Sequence, residues 1–367
     1  MTNTAGNIKI ADIESELNRL WESQEKKGST RACLFNLIIY SSTERRVNYL
    51  EDMAQTIIKK FPCRLIFIRG NESVGSNYLN VSVSTVSSGA GNDSIACDQI
   101  NIEVGYKLLE RVPFLVLPHL IPDLPVYLLW GQDPTTENEI LPHLEKFADR
   151  LIFDSDCAKD LQMFSIKLLK MIEKSSGEIL DLNWAMLFGW REAFSMVFNS
   201  KESLDHMAHA KAIHITYNAK KNGVVYHPEI RAVYLLGWIA SQMNWRFKSI
   251  EQKGNLSQTV FSSDNGNIII SLFPQEENET VPGNILGVEI STYTDHYYSF
   301  TRVQAQSKIV IHISSAEACD LPITIPLPDT KRGFTFLKEL FYYSPCDSYK
   351  RMLTLLSEIN WQGVCDI

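Results

Sequence analysis

Two periodicities of apolar and polar positions alternate along the first part of the chain. Residues 8–21 carry apolar side chains near helical spacing, whereas residues 31–40 form an apolar run typical of a buried strand. The apolar positions of residues 47–61 again repeat at helical intervals, and residues 63–68 have the pattern of a second strand. Because a β-α-β unit normally joins parallel strands through a right-handed crossover, this order predicts an α/β layer.

A proline-rich apolar segment spans residues 112–130. Four prolines divide it, so no continuous membrane helix can run through it. The sequence Pro-Asp-Leu-Pro at residues 122–125 is predicted to be extended or turned, because a residue before proline is pushed out of the helical region. Residues 126–130 then have the composition of a strand buried on both faces.

The pattern continues to residue 198 with further strands and helices. Strands are predicted at residues 79–86 and 95–103, joined by a glycine-containing loop at residues 89–93, for which a phosphate-binding nest is the minor alternative to a hairpin turn. A further strand is predicted at residues 150–153. Helical segments are predicted at residues 137–148, 159–173 and 181–198.

Antiparallel strands dominate the prediction for the second half. A strand at residues 211–218 and a helix at residues 229–243 precede several β segments, and some of these are joined by turn signals. The β segments are residues 247–251, 258–262, 267–273, 287–298 and 307–314, and the closing helices are residues 335–343 and 348–359. We therefore predict an α/β domain with a mixed, partly parallel sheet, followed by an α+β domain with a largely antiparallel sheet. The predicted divisions are an N-terminal helix and linker at residues 1–29, the α/β domain at 30–200 and the α+β domain at 205–367, with the polar residues 199–205 as the boundary.

Charge and cysteine content narrow the class of protein. A net charge of −8 leaves no basic surplus to neutralise phosphates, so we expect no nucleic-acid partner. The first ten residues lack the apolar core of a signal peptide, and no uninterrupted apolar run is long enough to span a bilayer, so we expect no membrane partner. The seven cysteines are scattered without a C-x-x-C pair, which favours reduced thiols and a cytoplasmic protein.

Common catalytic and cofactor motifs are missing from the sequence. It has no G-x-x-x-x-G-K-[ST], no strand followed by G-x-G-x-x-G, no G-x-S-x-G and no H-E-x-x-H. We therefore expect no cofactor and no catalytic residues. His206 and His209, with Asp205 and His214 nearby, resemble metal ligands, and histidines at this spacing can share a helical face. A convincing pattern of further ligands is lacking, so an ordinary polar connection is favoured over a metal site.

Three groups of residues are candidates for binding. Asp154, Ser155 and Asp156 follow a predicted strand and precede a helix, where α/β proteins often bind ligands, although aspartate and serine are also common helix caps. Arg31 and Arg64 at strand starts could bind a phosphate, although pairing with a local acid or solvation of the strand end is favoured. Trp184, Trp190 and Arg191 are of the types enriched in protein–protein hot spots, although core packing is the alternative for either tryptophan.

Five blocks in register resemble the glucose-6-phosphate dehydrogenase assembly protein family, called OpcA. They are TRACLFNLIIY, VPFLVLPHLIPDLPVYLLW, RLIFDS, DLNWAMLFGWREAFSMVF and AVYLLGWIASQMNW, which begin at residues 30, 112, 150, 181 and 232. The resemblance implies a non-enzymatic partner that binds glucose-6-phosphate dehydrogenase and favours its active oligomer. In some members the pairing also responds to thiol redox state.

The alternative function is a small-molecule-binding regulator or an unrecognised sugar-phosphate enzyme that uses the strand ends of the first domain. A deep polar pocket around Asp154, Ser155 and Asp156 would favour this alternative, whereas a broad apolar patch with a polar rim would favour a partner surface.

Overall fold

A mixed sheet of nine strands organises the first of two units in the computed structural model. The structure describes residues 3–5, 8–25, 30–42, 44–73, 75–88, 95–253, 256–303, 307–327, 337, 340–341 and 347–361. The first unit comprises residues 1–154 and 174–180, and the second comprises residues 155–173 and 181–367. The strands of the first unit are β1 (Asn3–Ala5), β2 (Thr30–Arg31), β3 (Asn36–Ser41), β4 (Arg64–Asn71), β5 (Leu79–Ser88), β6 (Ile95–Gly105), β7 (Val126–Trp130), β8 (Arg150–Phe153) and β9 (Glu178–Asp181).

The centre of this sheet is parallel, as predicted. Strand β3 pairs in parallel with β4 on one side and β7 on the other, and β6 and β8 extend the parallel set. Helix α2 (Glu44–Lys60) makes the crossover from β3 to β4, and its Leu50, Ala54 and Ile57 are fully buried. The predicted hairpin forms the antiparallel pair β5–β6, whereas its loop at residues 89–93 lies outside the described residues. The other helices of this unit are α1 (Ile13–Glu25), α3 (Val112–Val116) and α4 (Leu141–Leu144).

One buried amide fixes the entry into strand β7. Asn36, at the start of β3, is fully buried, and its Nδ2 donates to the carbonyls of Ile121 (3.1 Å) and Leu124 (3.3 Å). Its Oδ1 accepts from the Ile121 N–H at 2.8 Å. Asp123 lies between these residues in the left-handed region at φ 63°. The turned path that the prolines predict is therefore held by a side chain from the neighbouring strand.

An eight-stranded sheet forms the second unit, with antiparallel pairing everywhere except between β10 and β13. Its spatial order is β11-β12-β13-β10-β14-β15-β16-β17. The strands are β10 (Ala210–Asn218), β11 (Arg246–Lys253), β12 (Leu256–Ser263), β13 (Gly266–Gln275), β14 (Ile285–Thr292), β15 (Tyr297–Val303), β16 (Lys308–Ser314) and β17 (Ile323–Pro326). The helices are α5 (Leu161–Lys174), α6 (Leu182–Met186), α7 (Phe188–Val197), α8 (Lys201–Ala208), α9 (Ile230–Gln242) and α10 (Asp347–Ser357). This architecture, with the parallel first sheet, confirms the predicted fold class.

Helices cover one face of the second sheet. Helix α9, buried along most of its length, packs on β10 and β13. Phe194 of α7 stacks on Phe300 of β15, with ring centroids 4.5 Å apart. On β10 the buried residues Ile213 and Ile215 alternate with partly exposed ones, so only one face of the strand joins this core.

The division between the units falls earlier than the boundary predicted at residues 199–205. Ser200 caps α8 there, accepting a hydrogen bond from the Ser203 N–H at 3.1 Å, so the polar stretch is a helix and not a linker. The helices before it belong to the second unit because their large side chains pack on its core, as Phe194 does. Polar composition alone does not distinguish an exposed helix from a connection between domains.

Smaller differences lie among the later elements. The predicted strand at residues 287–298 is two strands, β14 and β15, with a turn in which Asp295 has φ 59°. Strand β17 was not predicted. Most of the predicted helix at residues 335–343 lies outside the described residues, whereas residues 348–359 largely match α10. Within the described part of the chain, every helix is too short or too polar to cross a membrane.

Candidate functional site

The strand order of the first sheet reverses between β3 and β7, which is where open α/β sheets commonly bind ligands. Tyr40 at the end of β3 stacks on Trp130 at the end of β7, with ring centroids 4.3 Å apart. The next residue, Gly131, lies so close to its neighbours that an added Cβ would be 2.5 Å from Leu50 Cδ1 and 2.8 Å from the Tyr40 carbonyl oxygen. The protein's own side chains and backbone therefore pack tightly at this point.

Asp154, the first residue of the predicted ligand site, is paired with an arginine. The Arg46 guanidinium on α2 contacts the Asp154 carboxylate, and both side chains are almost fully buried. The Arg46 guanidinium also lies 4.4 Å from the Tyr49 ring centroid. The loss of either side chain would leave the other charge buried and unpaired. The pair therefore stabilises the contact between α2 and the end of β8 only when both side chains are present.

Ser155 belongs to a buried chain of hydrogen bonds within the second unit. Its N–H and Oγ donate to the two oxygens of Asp181, at 3.0 and 3.1 Å, and Asn183 Nδ2 donates to Ser155 Oγ at 3.1 Å. Arg231 continues the chain by donating to the side-chain oxygens of Asn183 (3.0 Å) and Asn284 (2.5 Å). Burial raises the pKa of Asp181 to about 7 despite the hydrogen bonds that it accepts.

The carboxylate of Asp156 likewise accepts hydrogen bonds from the protein's own backbone. Its carboxylate accepts from the N–H groups of Tyr226, at 3.1 Å, and His227, at 2.8 Å. The ring of His227 lies 3.3 Å from Glu229 Oε1. Burial by itself lowers the pKa of His227, but its hydrogen bond and charge interaction with Glu229, with smaller help from Asp156, outweigh that effect and raise it. Ligand binding by Asp154, Ser155 and Asp156 stays a prediction, and their geometry favours the alternative structural role.

Trp184, Trp190 and Arg191 lie inside the second unit. The two indoles are 2% and 3% exposed, and Arg191 is 9% exposed. The Arg191 guanidinium lies 3.7 Å from the centre of the Trp184 ring, whose other neighbours include Tyr349 at 5.2 Å. This burial supports core packing, the alternative that the sequence left open, and partner binding by these residues stays a prediction.

The two histidines of the possible metal motif have separate partners. His206 Nδ1 lies 2.7 Å from the Tyr298 hydroxyl, and its ring stacks on His296 at 3.6 Å. His209 Nδ1 lies 2.8 Å from the backbone carbonyl of Asp205. Among the residues that the structure describes, no three histidine, cysteine, aspartate or glutamate side chains are grouped to hold a metal ion.

Arg31 and Arg64 meet at one carboxylate in the first unit. Both donate to Asp98 Oδ2 at 2.7 Å, and Trp21 Nε1 donates to Asp98 Oδ1 at 2.5 Å. Arg64 also donates to Glu14 at 3.0 Å. Of the alternatives for these arginines, the structure shows pairing with acids, although Asp98 lies on β6 and is remote in sequence.

One face of the second sheet remains open to solvent. We call it the outer face; it lies opposite the face that packs on α9. Its large apolar side chains Ile269, Phe273 and Tyr297 are 41%, 37% and 39% exposed. The residues that define it on the four central strands are Ala212, His214, Ile269, Phe273, Glu289 and Tyr297.

His214 lies at the middle of the outer face. It pairs across the strands with Glu289 on one side and Ser271 on the other. Its ring makes an edge-on contact with Phe273, with centroids 5.2 Å apart, and its Nδ1 is shielded from solvent and has no hydrogen-bond partner among the residues that the structure describes. The period-2 alternation of residues 211–218 was the sequence signal for this second face, but it does not tell which face is covered.

The fold and these sites together define a two-unit α/β protein whose buried polar clusters are held internally and whose second sheet presents an open face. Comparison with known proteins assigns the family. Residues 54–168 match the family model described as the N-terminal domain of the glucose-6-phosphate dehydrogenase subunit, and residues 178–351 match that of its C-terminal domain. The chain therefore belongs to the OpcA family.

Similar curated proteins carry the same family name. The OpcA protein of Synechocystis sp. is 25% identical over 251 residues, which are 66% of this chain and 49% of the relative. That of Synechococcus elongatus is 23% identical over 249 residues, which are 65% and 54% of the two chains. This chain thus spans about half the length of the curated relatives that it matches.

Solved structures share the fold at very low identity. A 3-ketoreductase from Actinomadura kijaniata has a TM-score of 0.51 at 9% identity, with 89% of this chain and 95% of that chain covered. A UDP-N-acetylglucosamine 3-dehydrogenase from Acidithiobacillus ferrooxidans has a TM-score of 0.50 at 7% identity, with 90% and 97% covered. At this level of identity the likeness concerns the fold alone.

Proposed function

We propose that the chain is a non-catalytic partner of glucose-6-phosphate dehydrogenase that binds the enzyme, promotes its active oligomer and so supports the oxidative pentose phosphate pathway. The observation that carries this proposal is the pair of family matches, which together extend from residue 54 to residue 351. Both matched descriptions are of a glucose-6-phosphate dehydrogenase subunit.

The internal geometry supports a binding role over catalysis. The carboxylates of Asp154, Asp156 and Asp181 accept from an arginine or from backbone N–H groups of the protein itself. A partner-binding protein needs an accessible surface, and the outer face supplies exposed apolar side chains with charged neighbours. The alternative of a small-molecule regulator or sugar-phosphate enzyme has no comparable observation in its favour.

The proposed place of action is the cytoplasm. Burial raises the pKa of the thiols of Cys63 and Cys97, the latter to about 12, so both are protonated and behave as small apolar groups at neutral pH. That behaviour agrees with the reduced thiols predicted from the scattered cysteines.

A titration with the cognate dehydrogenase tests the proposal. Adding the chain should raise the dehydrogenase rate, most clearly at low glucose 6-phosphate, and should shift the dehydrogenase to a larger species on gel filtration. The chain alone, given glucose 6-phosphate and NADP, should show no turnover. Unchanged kinetics at saturating chain with no complex on gel filtration would contradict the proposal, and turnover by the chain alone would favour the enzymatic alternative.

A further inference from the structure

A pocket with apolar walls lies between three helices of the second unit. It encloses about 160 Å³ among residues of α7, α8 and α9, and it is open to solvent on one side. Phe194, Met207 and Ile239 in its lining are each 3% exposed, whereas Ser195 and Leu204 are exposed and mark its mouth. Protein interiors are packed with few voids larger than a water molecule, so a space of this size is unusual within a folded unit.

Each wall of the pocket has its own contact with the sheet. Phe194 of α7 stacks on Phe300 of β15, with ring centroids 4.5 Å apart. His206 of α8 has its Nδ1 2.7 Å from the hydroxyl of Tyr298 on the same strand, and α9 packs on β10 and β13. These separate contacts hold the walls apart, so the pocket exists before any ligand arrives.

The lining selects an uncharged ligand. Of the nine described residues that line the pocket, none is acidic or basic. The side-chain oxygen of Gln242 already accepts a hydrogen bond from Arg351 at 2.8 Å. A charged group would lose its hydration in the pocket without gaining a partner, and water would find few partners there.

Aromatic rings and thioethers make up most of the lining. Phe194, Phe198 and Trp238 contribute rings, and Met207 and Met243 contribute sulfur atoms. The Phe194 and Trp238 rings meet edge-on with centroids 6.0 Å apart. Rings pack favourably in offset or edge-on contact with other rings, and thioether sulfur packs well against ring edges. An engineered apolar cavity of about 150 Å³ stays dry and binds benzene, so the size of this pocket suits an aromatic ring.

We propose that this pocket binds a small uncharged aromatic molecule, either a single ring or a compound of the size of indole. A polar atom at the edge of the ligand can hydrogen-bond to the Ser195 hydroxyl at the mouth. The proposal concerns the chain alone, so it does not depend on the proposed binding of a dehydrogenase. Because the ligand contacts α7, α8 and α9 of the folded chain together, its binding should raise the melting temperature.

Calorimetric titration of the full chain with indole tests the site. The wild type should bind one indole with a Kd below about 1 mM, which ligands of this size can reach. Ser195→Trp places a large ring at the mouth and should weaken binding about ten-fold or more. Met196→Trp is the matched control, because Met196 is the next residue on α7, is 61% exposed and does not line the pocket. Its Kd should stay within about two-fold of the wild-type value.

Thermal melts separate a blocked pocket from a damaged fold. Without ligand, Ser195→Trp should melt like the wild type, because the replaced side chain is exposed. Indole should raise the melting temperature of the wild type and of Met196→Trp but not that of Ser195→Trp. Leu204→Trp is a second blocking variant on α8 and should give the same result as Ser195→Trp.

Competition against indole defines the class of ligand. Benzyl alcohol should displace indole, whereas benzoate, which has the same ring and a charge, should compete about ten-fold or more less well. Cyclohexylmethanol has a similar shape and is more apolar than benzyl alcohol, but it lacks an aromatic ring and should also compete less well.

The site would be overturned if indole showed no saturable binding up to its solubility limit, or if Ser195→Trp bound it as tightly as the wild type. Competition by benzoate or cyclohexylmethanol as strong as that by benzyl alcohol would overturn the assigned class. Loss of dehydrogenase binding in Ser195→Trp, from a wild type that does not bind indole, would instead assign the pocket to a side chain of the dehydrogenase.

Discussion

Replacing Asp181 with asparagine should remove a pH-dependent loss of stability from the second unit. Asp181 is fully buried at the start of α6, where its carboxylate accepts from the Trp184 N–H at 2.9 Å and from the Ser155 N–H and hydroxyl. Asparagine keeps an acceptor for the helix cap but carries no charge. Asparagine also replaces one of the two accepting oxygens by an NH2 donor. The loss of that hydrogen bonding does not depend on pH, whereas the contribution of the charge does.

The magnitude follows from the pKa of the carboxyl. Burial raises it from 3.8 to about 7 in the folded chain. Between these values the folded protein keeps a proton that the unfolded chain has lost, so stability falls as pH rises from about 4 to 7 and is level above that. The full difference is about 4 kcal/mol, of which about 3 kcal/mol develops between pH 5 and pH 8.

Urea unfolding of both proteins at pH 5, 6, 7 and 8 measures this contribution. The difference between the two free energies of unfolding cancels the other titrating groups, and it should shift in favour of asparagine by about 3 kcal/mol across the series. Asp181→Ala is the control for the cap: it should be less stable than asparagine at every pH because three donors lose their acceptor. A difference that stays level from pH 5 to pH 8 would refute the argument that Asp181 is protonated when folded.

Three further substitutions test packing and pairing. Asn36→Ala should cost about 3 kcal/mol of stability, because it leaves backbone groups of the turn before β7 unsatisfied, and a melting temperature within 2 °C of the wild type would contradict this. Arg64→Met should lower the free energy of unfolding in urea by about 3–5 kcal/mol, because it leaves the buried Asp98 carboxylate with less compensating charge. Arg31→Met should lower it much less, because the Arg31 side chain is 42% exposed. Equal losses in the two variants would count against the role of burial. Trp190→Ala should cost about 3–5 kcal/mol of stability as a core residue, and a variant that melts normally but no longer binds the dehydrogenase would show an interface role instead.

The sequence alone determined the elements with strong periodicity. Helix α2 and strands β4, β7 and β8 were predicted within a few residues because their apolar patterns repeat at one period and their ends carry proline or polar residues. The fold class followed from the order of these elements, since a crossover between parallel strands has few topologies. The blocks around residues 30, 112, 150, 181 and 232 also sufficed to indicate the family.

Only the tertiary structure decided the roles of individual polar and aromatic residues. Asp154 pairs with an arginine more than a hundred residues away in the sequence. Asp98 accepts hydrogen bonds from Arg31 and Arg64, which lie on other strands. These partners could not be deduced from local sequence. Trp190 is of a residue type enriched in protein–protein hot spots, yet it is buried like a core residue. A large hydrophobic ring is favoured in both environments, so the residue type alone does not distinguish them. Likewise, alternation along β10 predicts two faces, but which face stays open depends on where α9 packs, and that is set by contacts between elements distant in the chain.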